Sequence, residues 1–273
     1  MIAGSGKASG IDLVISDVDG TLVTGDKRLT EATVTAVRRL RAAGIGFSIA
    51  SARPPIGLRN LVAELELDLP MGAFNGASVV RPDLSTIEER TIPEAAARSA
   101  LDRLLAEGLD VWVFAEGAWW LRDPEGPYTD LERRTIDAEP RVVADLRPLM
   151  GSAAKIVGVS RDHAHLAACE ARIGAALAGQ ATIHRSQKYY LDVTPPHLDK
   201  GRFVTWMSAH LAIPPERIAT FGDAGNDRPM FAQSGFSVAM GNAEAAVKAA
   251  ARAVTDSNDA DGFAHGVERF LLP

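Results

Sequence analysis

The stretch that decides the fold is IDLVISDVDGT, residues 11–21. Its first six residues, Ile11 to Ser16, form a short apolar run rich in β-branched side chains, which is typical of a buried strand. Two carboxylates, Asp17 and Asp19, follow directly. Because a parallel sheet binds its ligands at the carboxyl ends of its strands, we expect both to lie at that edge. Two acids in a turn are equally typical of a solvated loop, so this segment alone does not decide a function.

The next segments continue as an alternation of helix and strand. Glu31 to Ala43 carries apolar residues at helical spacing, and Thr30 before it is a residue type that caps helices. Ile45 to Ala50 is a second short apolar run and predicts a second strand. This order predicts a parallel sheet covered by helices.

The alternation stops near Pro82 and returns from about Lys200. Between these positions, a helical pattern from Pro93 to Glu107 and a hairpin signal at Glu116-Gly117 predict a mixed α+β insert. The predicted fold class is α/β, a Rossmann-like three-layer core with a parallel sheet, plus this inserted domain. We predict a tail at residues 1–10, a core domain formed by 11–81 and 199–273, and the insert at 82–198.

The composition narrows the class of partner. The 273 residues carry 29 Lys and Arg against 35 Asp and Glu, a net charge of -6, which does not favour binding to nucleic acid. No apolar run approaches the ~20 residues of a membrane helix, and the first residues lack the apolar middle of a signal peptide. Cys169 is the only cysteine, so no intrachain disulfide forms. We predict a cytoplasmic protein that binds neither membrane nor nucleic acid.

A second acidic group, GDAGND at residues 222–227, follows the apolar run Ile218 to Phe221. If this strand lies beside the first, up to four carboxylates share one crevice. Two like charges 4 Å apart repel by ~4 kcal/mol at the effective dielectric near a protein surface, so the group needs a cation. Oxygen ligands without neighbouring His or Cys favour a hard ion, and Mg²⁺ is the expected cofactor.

Four segments together carry a family resemblance. They are residues 17–21 (DVDGT), 222–227 (GDAGND), 238–243 (VAMGNA) and 255–262 (TDSNDADG). In this order they resemble the haloacid dehalogenase superfamily, most closely its Cof-like phosphatases with a large type-B class II cap inserted after the third core strand. The resemblance covers nearly the whole chain after the tail, and it implies that residues 82–198 are the cap, which selects the substrate.

The resemblance also implies a chemistry for the acidic residues. Asp17 is expected to attack phosphorus and form an aspartyl-phosphate, while Asp19 protonates the leaving oxygen and then activates water. Asp17, the backbone carbonyl of Asp19, and Asp223 are expected to hold Mg²⁺, with Asp227 as an additional or outer ligand. Asn226 is expected near the phosphate or the metal-bound water.

Three further positions match motifs of the family. Ser51 is expected to donate to a phosphoryl oxygen, although relatives more often carry Thr-Gly-Arg where this chain has Ser-Ala-Arg. Ser51 precedes a predicted helix, and a serine in that position is often only a cap. Lys200 is expected to supply a positive charge to the phosphoryl group and Asp17, although a lone lysine is often solvated. Asn75 and Gly76 match a substrate-contacting segment, but Asn-Gly is equally a hairpin turn.

The predicted function is hydrolysis of a small phosphomonoester, a sugar phosphate or a phosphorylated cofactor such as a flavin or pyridoxal phosphate. Two alternatives stay open. A phosphomutase uses the same aspartyl chemistry but transfers the group to a second hydroxyl, and a non-catalytic protein binds the phosphometabolite without turnover. His163 and His165, two residues apart, face different sides of a helix and are predicted to be solvated rather than a metal pair.

Overall fold

The structure, a computed structural model, describes residues 10–272. Of the predicted tail, residues 1–9 lie outside this range. The chain divides into two compact units, the first made of Met1–Ser51, Arg59–Ser85 and Asp199–Pro273, the second of Ala52–Leu58 and Thr86–Leu198. The domain boundaries drawn from the sequence stay a prediction, and no sequence pattern had assigned Ala52–Leu58 to the insert.

The described residues form fourteen strands and nine α-helices. The strands are β1 (Leu13–Ser16), β2 (Gly46–Ile49), β3 (Met71–Ala73), β4 (Ser78–Val80), β5 (Thr86–Glu89), β6 (Asp110–Ala115), β7 (Ala118–Leu121), β8 (Arg141–Val142), β9 (Ala153–Val159), β10 (Thr182–Gln187), β11 (Tyr190–Thr194), β12 (Ile218–Gly222), β13 (Phe236–Ala239) and β14 (Ala253–Val254). The helices are α1 (Glu31–Ala42), α2 (Arg59–Leu65), α3 (Glu94–Ala106), α4 (Thr129–Ile136), α5 (His163–Ala176), α6 (Lys200–Leu211), α7 (Arg228–Ala232), α8 (Ala245–Lys248) and α9 (Gly262–Gly266).

The first unit is built on a parallel sheet in the order β14-β13-β12-β1-β2. The central pair has Ser16 of β1 beside Phe221 of β12. The backbone N–H of Asp17 donates to the carbonyl of Phe221 at 2.9 Å, so the two strands end side by side. The strand ends that carry the two acidic segments are therefore neighbours. The predicted α/β class with a parallel core sheet is confirmed.

Helix α1 shows how local sequence signals produce an element of this layer. The Thr30 hydroxyl accepts the backbone N–H of Thr33 at 3.1 Å, as expected of a capping residue. Ala36, Val37 and Leu40 form the buried stripe, and α1 packs against β2 and α9. Gly44, just past the end, adopts φ +76, a conformation in which glycine is unstrained.

The second unit is a mixed sheet in the order β10-β11-β9-β6-β7-β8, antiparallel except for the pair β7 and β8. Alternate residues of β6, such as Val111 and Val113, join the apolar core with α3 and α5. Trp112, on the opposite face, makes edge contacts with Trp119 and Tyr190 at 5.1 Å between ring centroids. The hairpin predicted at Glu116-Gly117 joins β6 and β7.

Two elements differ from the sequence-based expectation. The alanine-rich run 245–251 predicts a helix, but α8 ends at Lys248 because the Arg252 amide then donates to the Ser237 carbonyl at 3.0 Å and returns the chain to the sheet. Helix α4 was not predicted. It begins at Thr129, and the preceding residue, Tyr128, has φ +63 and makes no capping hydrogen bond with its side chain. No helix within residues 10–272 is long and apolar enough to cross a bilayer.

The buried face of α1 yields a stability prediction. Leu40 is fully buried, so Leu40→Ala removes apolar contacts and leaves a cavity, which we expect to lower the free energy of unfolding by about 2–5 kcal/mol. Thr35→Ala, on the exposed side of the same helix, is the control and should change it by less than about 0.5 kcal/mol. Chemical denaturation followed by circular dichroism measures both, and equal effects would contradict the assigned packing.

Candidate active site

The site lies at the carboxyl ends of β1 and β12, and Asp17 is its centre. Asp17 is 4% exposed and follows the fully buried strand β1 directly. Its carboxylate, with those of Asp223 and Asp227, forms a group whose ligand oxygens all lie within 4.8 Å of one another. The structure therefore brings together the two acidic segments that the sequence places more than 200 residues apart.

Lys200 joins two of these carboxylates. Its side chain is 1% exposed, and its ammonium donates to Oδ1 of Asp17 and, at 2.6 Å, to Oδ1 of Asp227. The lysine is the first residue of α6, where the Asp199 side chain caps the helix by accepting the Arg202 amide at 3.1 Å. Asp199 thus has a local role in setting the start of α6.

Asp227 also holds the shape of its own loop. Its Oδ2 accepts the backbone N–H groups of Asp223 at 2.8 Å and Ala224 at 2.9 Å. Gly222 permits this close approach, because a Cβ there would lie 2.5 Å from Cγ of Asp227. Both oxygens of Asp227 therefore have hydrogen-bond donors, and its predicted ligand role stays a prediction.

Burial and mutual repulsion determine the electrostatics of the group. Burial raises the pKa of the Asp17 carboxyl well above its usual range, Lys200 lowers it, and the charges of Asp227 and Asp223 raise it further. Burial and the Asp227 charge raise the pKa of Asp223 to about 6. Burial alone would lower the pKa of Lys200, but the charges of Asp17 and Asp227 raise it above its usual value, so the ammonium stays charged.

Asp19 lies on the loop that follows Asp17. Its Oδ1 accepts the ammonium of Lys27 at 2.7 Å, and both side chains are partly exposed. Gly20, next in the chain, has φ +87, and a Cβ there would collide with the Asp223 carboxylate. The loop backbone after Asp19 therefore lies directly against Asp223, in agreement with a role for glycine at this position.

The remaining predicted residues lie after β2 and in the turn between β3 and β4. Ser51 is fully buried after β2, and its carbonyl accepts the Asn75 amide at 2.8 Å. The Asn75 side-chain oxygen accepts a hydrogen bond from Nδ2 of Asn226 at 3.0 Å, which connects this turn to the Asp223 loop. Asn75 and Gly76 have φ values of +57 and +87 in the turn between β3 and β4. The turn interpretation is thus confirmed, while the substrate contact stays a prediction.

Three polar side chains of the site were not assigned roles from the sequence. Thr21 donates to Oδ1 of Asp223 at 3.2 Å, and Asn242 donates to its Oδ2 at 3.2 Å. Asn258 contacts Asn242 through its backbone N–H at 3.1 Å. All three lie in the segments that carried the family resemblance, but motif position alone does not reveal which atoms a side chain contacts.

The charge balance of the site fits a divalent cation. When Asp17, Asp223 and Asp227 are all ionised, one ammonium from Lys200 leaves two negative charges uncompensated in a largely buried group. The donor atoms are oxygens only, which is the ligand type of hard cations such as Mg²⁺ or Ca²⁺. Asp17 and Asp223 are the residues whose carboxylates are suited to hold such an ion.

The second unit contains another group of possible ligands, Glu107, His165 and Cys169. Here the Glu107 carboxylate accepts two hydrogen bonds from Arg172, at 3.0 and 2.8 Å, and the Arg172 side chain also lies 3.5 Å from the Cys169 sulfur. The guanidinium already supplies the positive charge, so an ion pair accounts for this group. His165 is not simply solvated as predicted, because its Nε2 lies 3.0 Å from the Glu107 carbonyl.

Comparison with known protein families shows to which family the chain belongs. The model of the haloacid dehalogenase-like hydrolases matches residues 14–267. The chain belongs to this family. The family, the parallel-sheet fold and the enzyme class predicted from the sequence, a phosphatase of the haloacid dehalogenase kind, are confirmed.

Individual relatives are similar over most of the chain. A Haemophilus influenzae protein, whose name marks it as a candidate phosphatase, is 30% identical over 92% of this chain and 95% of its own length. An HMP-PP phosphatase of Cronobacter sakazakii is 28% identical over 83% of each chain. A haloacid dehalogenase-like hydrolase of Bacteroides thetaiotaomicron matches in structure with a TM-score of 0.86 and 26% identity, covering 95% of this chain and 99% of that one.

The buried Lys200 and the exposed Lys27 both pair with aspartates, and comparing them gives a stability prediction for the metal-free protein. Lys200→Ala leaves two buried carboxylates without their cation, so we expect it to lower the free energy of unfolding by about 3–5 kcal/mol. Lys27→Ala breaks the exposed pair with Asp19 and should change it by less than about 1 kcal/mol. Chemical denaturation in EDTA compares them, and losses equal within error would contradict the role of burial.

Proposed function

We propose that this protein is an Mg²⁺-dependent phosphatase that hydrolyses phosphomonoesters of small metabolites through a phosphorylated Asp17. One observation carries the proposal: Asp17 is buried at the end of β1, bound to Lys200 and grouped with Asp223. Burial removes water from a carboxylate nucleophile, and the lysine holds it in one orientation. The relative named HMP-PP phosphatase supports a small phosphorylated substrate.

In the first step an oxygen of Asp17 attacks phosphorus in line with the ester oxygen. The new Asp17–phosphorus bond forms as the phosphorus–ester oxygen bond breaks, and Asp19 donates its proton to the leaving oxygen. Ser51 and Lys200 are the groups that we assign to the phosphoryl oxygens. Lys200, with its charge retained, offsets negative charge on both the nucleophile and the transferred group.

In the second step Asp19, now ionised, accepts a proton from water as the water oxygen attacks the phosphorus. The Asp17–phosphorus bond breaks, inorganic phosphate leaves and Asp17 is regenerated. Bound Mg²⁺ would supply charge neutralisation between the anionic nucleophile and the anionic phosphate. Asp17, the Asp19 carbonyl and Asp223 are the groups that we assign to hold it.

Asp227 and Asn226 receive positioning roles in this proposal. Asp227 orients Lys200 through Oδ1 and the Asp223 backbone through Oδ2, so it shapes both the cation site and the nucleophile without needing a direct metal bond. Asn226 is hydrogen-bonded to Asn75 and so connects the Asp223 loop to the turn after β3, around the position that we assign to the phosphoryl group. We propose sugar phosphates or phosphorylated cofactors as the substrate class.

The nucleophile assignment predicts a sharp loss of activity. Asp17→Asn keeps the size of the side chain but removes the attacking carboxylate, so we expect phosphate release to fall at least about 10³-fold. Asp12→Asn is the matched control, because Asp12 precedes the same strand and pairs with Arg217 away from the site. The assay measures phosphate release from sugar phosphates, nucleotides, flavin mononucleotide and pyridoxal phosphate.

Retention of wild-type activity by Asp17→Asn would rule out the mechanism. Mass spectrometry of acid-quenched turnover adds an independent readout, since the peptide that contains Asp17 should gain the mass of one phosphoryl group. An isomeric phosphate ester in place of free phosphate would identify a phosphomutase. No turnover of any compound in the panel would favour the non-catalytic alternative.

The cation assignment predicts a distinct metal dependence. EDTA should abolish phosphate release, and Mg²⁺ should restore it fully. Ca²⁺ binds oxygen ligands with longer bonds and flexible geometry, so we expect it to occupy the site but restore less than about a tenth of the rate. Equal rates after EDTA treatment, with residual metal checked by elemental analysis, would contradict the proposal.

A further inference from the structure

Asn242 connects two loops of the site through one side chain. It lies three residues after the end of β13, in the segment MGNA at residues 240–243. Its Nδ2 group donates to the Gly20 carbonyl at 2.9 Å and to Oδ2 of Asp223 at 3.2 Å. Its Oδ1 accepts the backbone N–H of Asn258 at 3.1 Å. All of these residues belong to the first unit.

The two acceptors belong to the two segments assigned to the cation. Gly20 follows Asp19, whose carbonyl is one assigned ligand, and Asp223 supplies another. Thr21 donates to the other oxygen of Asp223, Oδ1, at 3.2 Å. The Asp223 carboxylate therefore has a donor on each oxygen, one from the loop after β1 and one from Asn242, and its orientation is fixed before any ion binds.

We propose that Asn242 is a positioning residue that sets the distance between the Asp19 loop and the Asp223 carboxylate, and so determines the affinity of the site for its divalent cation. The inference rests on the proposed function. Without Asn242 the ion itself must order the two segments, and that ordering lowers the net affinity. Donors that orient metal ligands typically contribute 10–100-fold in affinity or activity.

The chemistry of asparagine suits this position. Its side-chain amide offers two N–H donors and one acceptor in a single plane, enough for two carbonyl-type acceptors and one amide. A serine hydroxyl donates only one hydrogen bond, and an aspartate would place a carboxylate against two oxygen acceptors. Asn258 extends the link, because its Nδ2 donates to the Val23 carbonyl at 2.9 Å, within the loop that joins β1 to α1.

The exposed location of Asn242 separates this role from one in folding. Asn242 is exposed and contributes nothing to the apolar core of its unit. Exposed substitutions away from the core usually change stability by less than about 0.5 kcal/mol. Asn242→Ala is therefore expected to fold, and Asn242→Ser, with a small polar side chain, provides a second variant that lacks the link.

The test measures Mg²⁺ affinity in two ways. The rise of the thermal unfolding midpoint with Mg²⁺ concentration reports binding without turnover, and the Mg²⁺ concentration for half-maximal phosphate release reports the working site. We expect Asn242→Ala and Asn242→Ser to weaken Mg²⁺ binding 10–100-fold in both measurements. At saturating Mg²⁺ kcat should return to within about threefold of wild type, because only metal binding is impaired.

Two further variants test whether the loss of Mg²⁺ affinity is specific to the Asn242 side chain. Asn258→Ala keeps its backbone N–H on Asn242, so we expect a smaller shift in Mg²⁺ affinity than with Asn242→Ala. Thr24→Ala is the control on the same loop. Its hydroxyl bonds to the Asp26 carboxylate and to the backbone N–H and carbonyl of Arg28, so the substitution should leave Mg²⁺ affinity unchanged.

Wild-type Mg²⁺ affinity in both Asn242 variants would overturn the inference and leave the proposed function intact. A fall in kcat that saturating Mg²⁺ does not restore would also overturn it, because it would indicate a defect other than cation binding. A wild-type protein whose unfolding midpoint and phosphate release do not respond to Mg²⁺ would remove the proposed function itself, and the inference with it.

Discussion

The structure of the site depends on one buried ammonium. Lys200 lies between Asp17 and Asp227 with 1% of its side chain exposed, so three charged groups are held where water does not screen them. Isolated, each would be strongly disfavoured by burial, and together they are tolerated because each charge has a partner with good geometry. The position of α6, which begins at this lysine, is therefore tied chemically to the end of β1 and to the loop after β12.

The register of the parallel sheet brings the acidic residues of the site together. Since Ser16 pairs with Phe221, the chain leaves β1 and β12 at the same edge, and Asp17 and Asp223 follow within one or two positions. Glycine then permits a backbone approach that no side chain would allow, with Gly20 against the Asp223 carboxylate and Gly222 against Asp227. Strand order supplies proximity, and the two glycines supply the remaining close contact.

Much of this was predictable, and the reasons are physical. Asp17 and Asp223 could be found because each follows an apolar strand of high β propensity, and the cap of α1 could be found because Thr30 acts within its own neighbourhood. The early end of α8 could not, since it depends on the distant Ser237 carbonyl. Likewise, the bond from Lys200 to Asp227 and the link through Asn242 are set by tertiary placement, which no local pattern encodes.

The site is built so that its negative charge exceeds its built-in positive charge. Lys200 compensates one carboxylate of three, and burial, together with repulsion from Asp227, raises the pKa of Asp223. If internal cations balanced every carboxylate, the group would not favour a further ion. Repulsion among the carboxylates therefore favours the binding of a divalent cation, provided that the ligands are already oriented. Lys200, Thr21 and Asn242 are the side chains that provide this orientation.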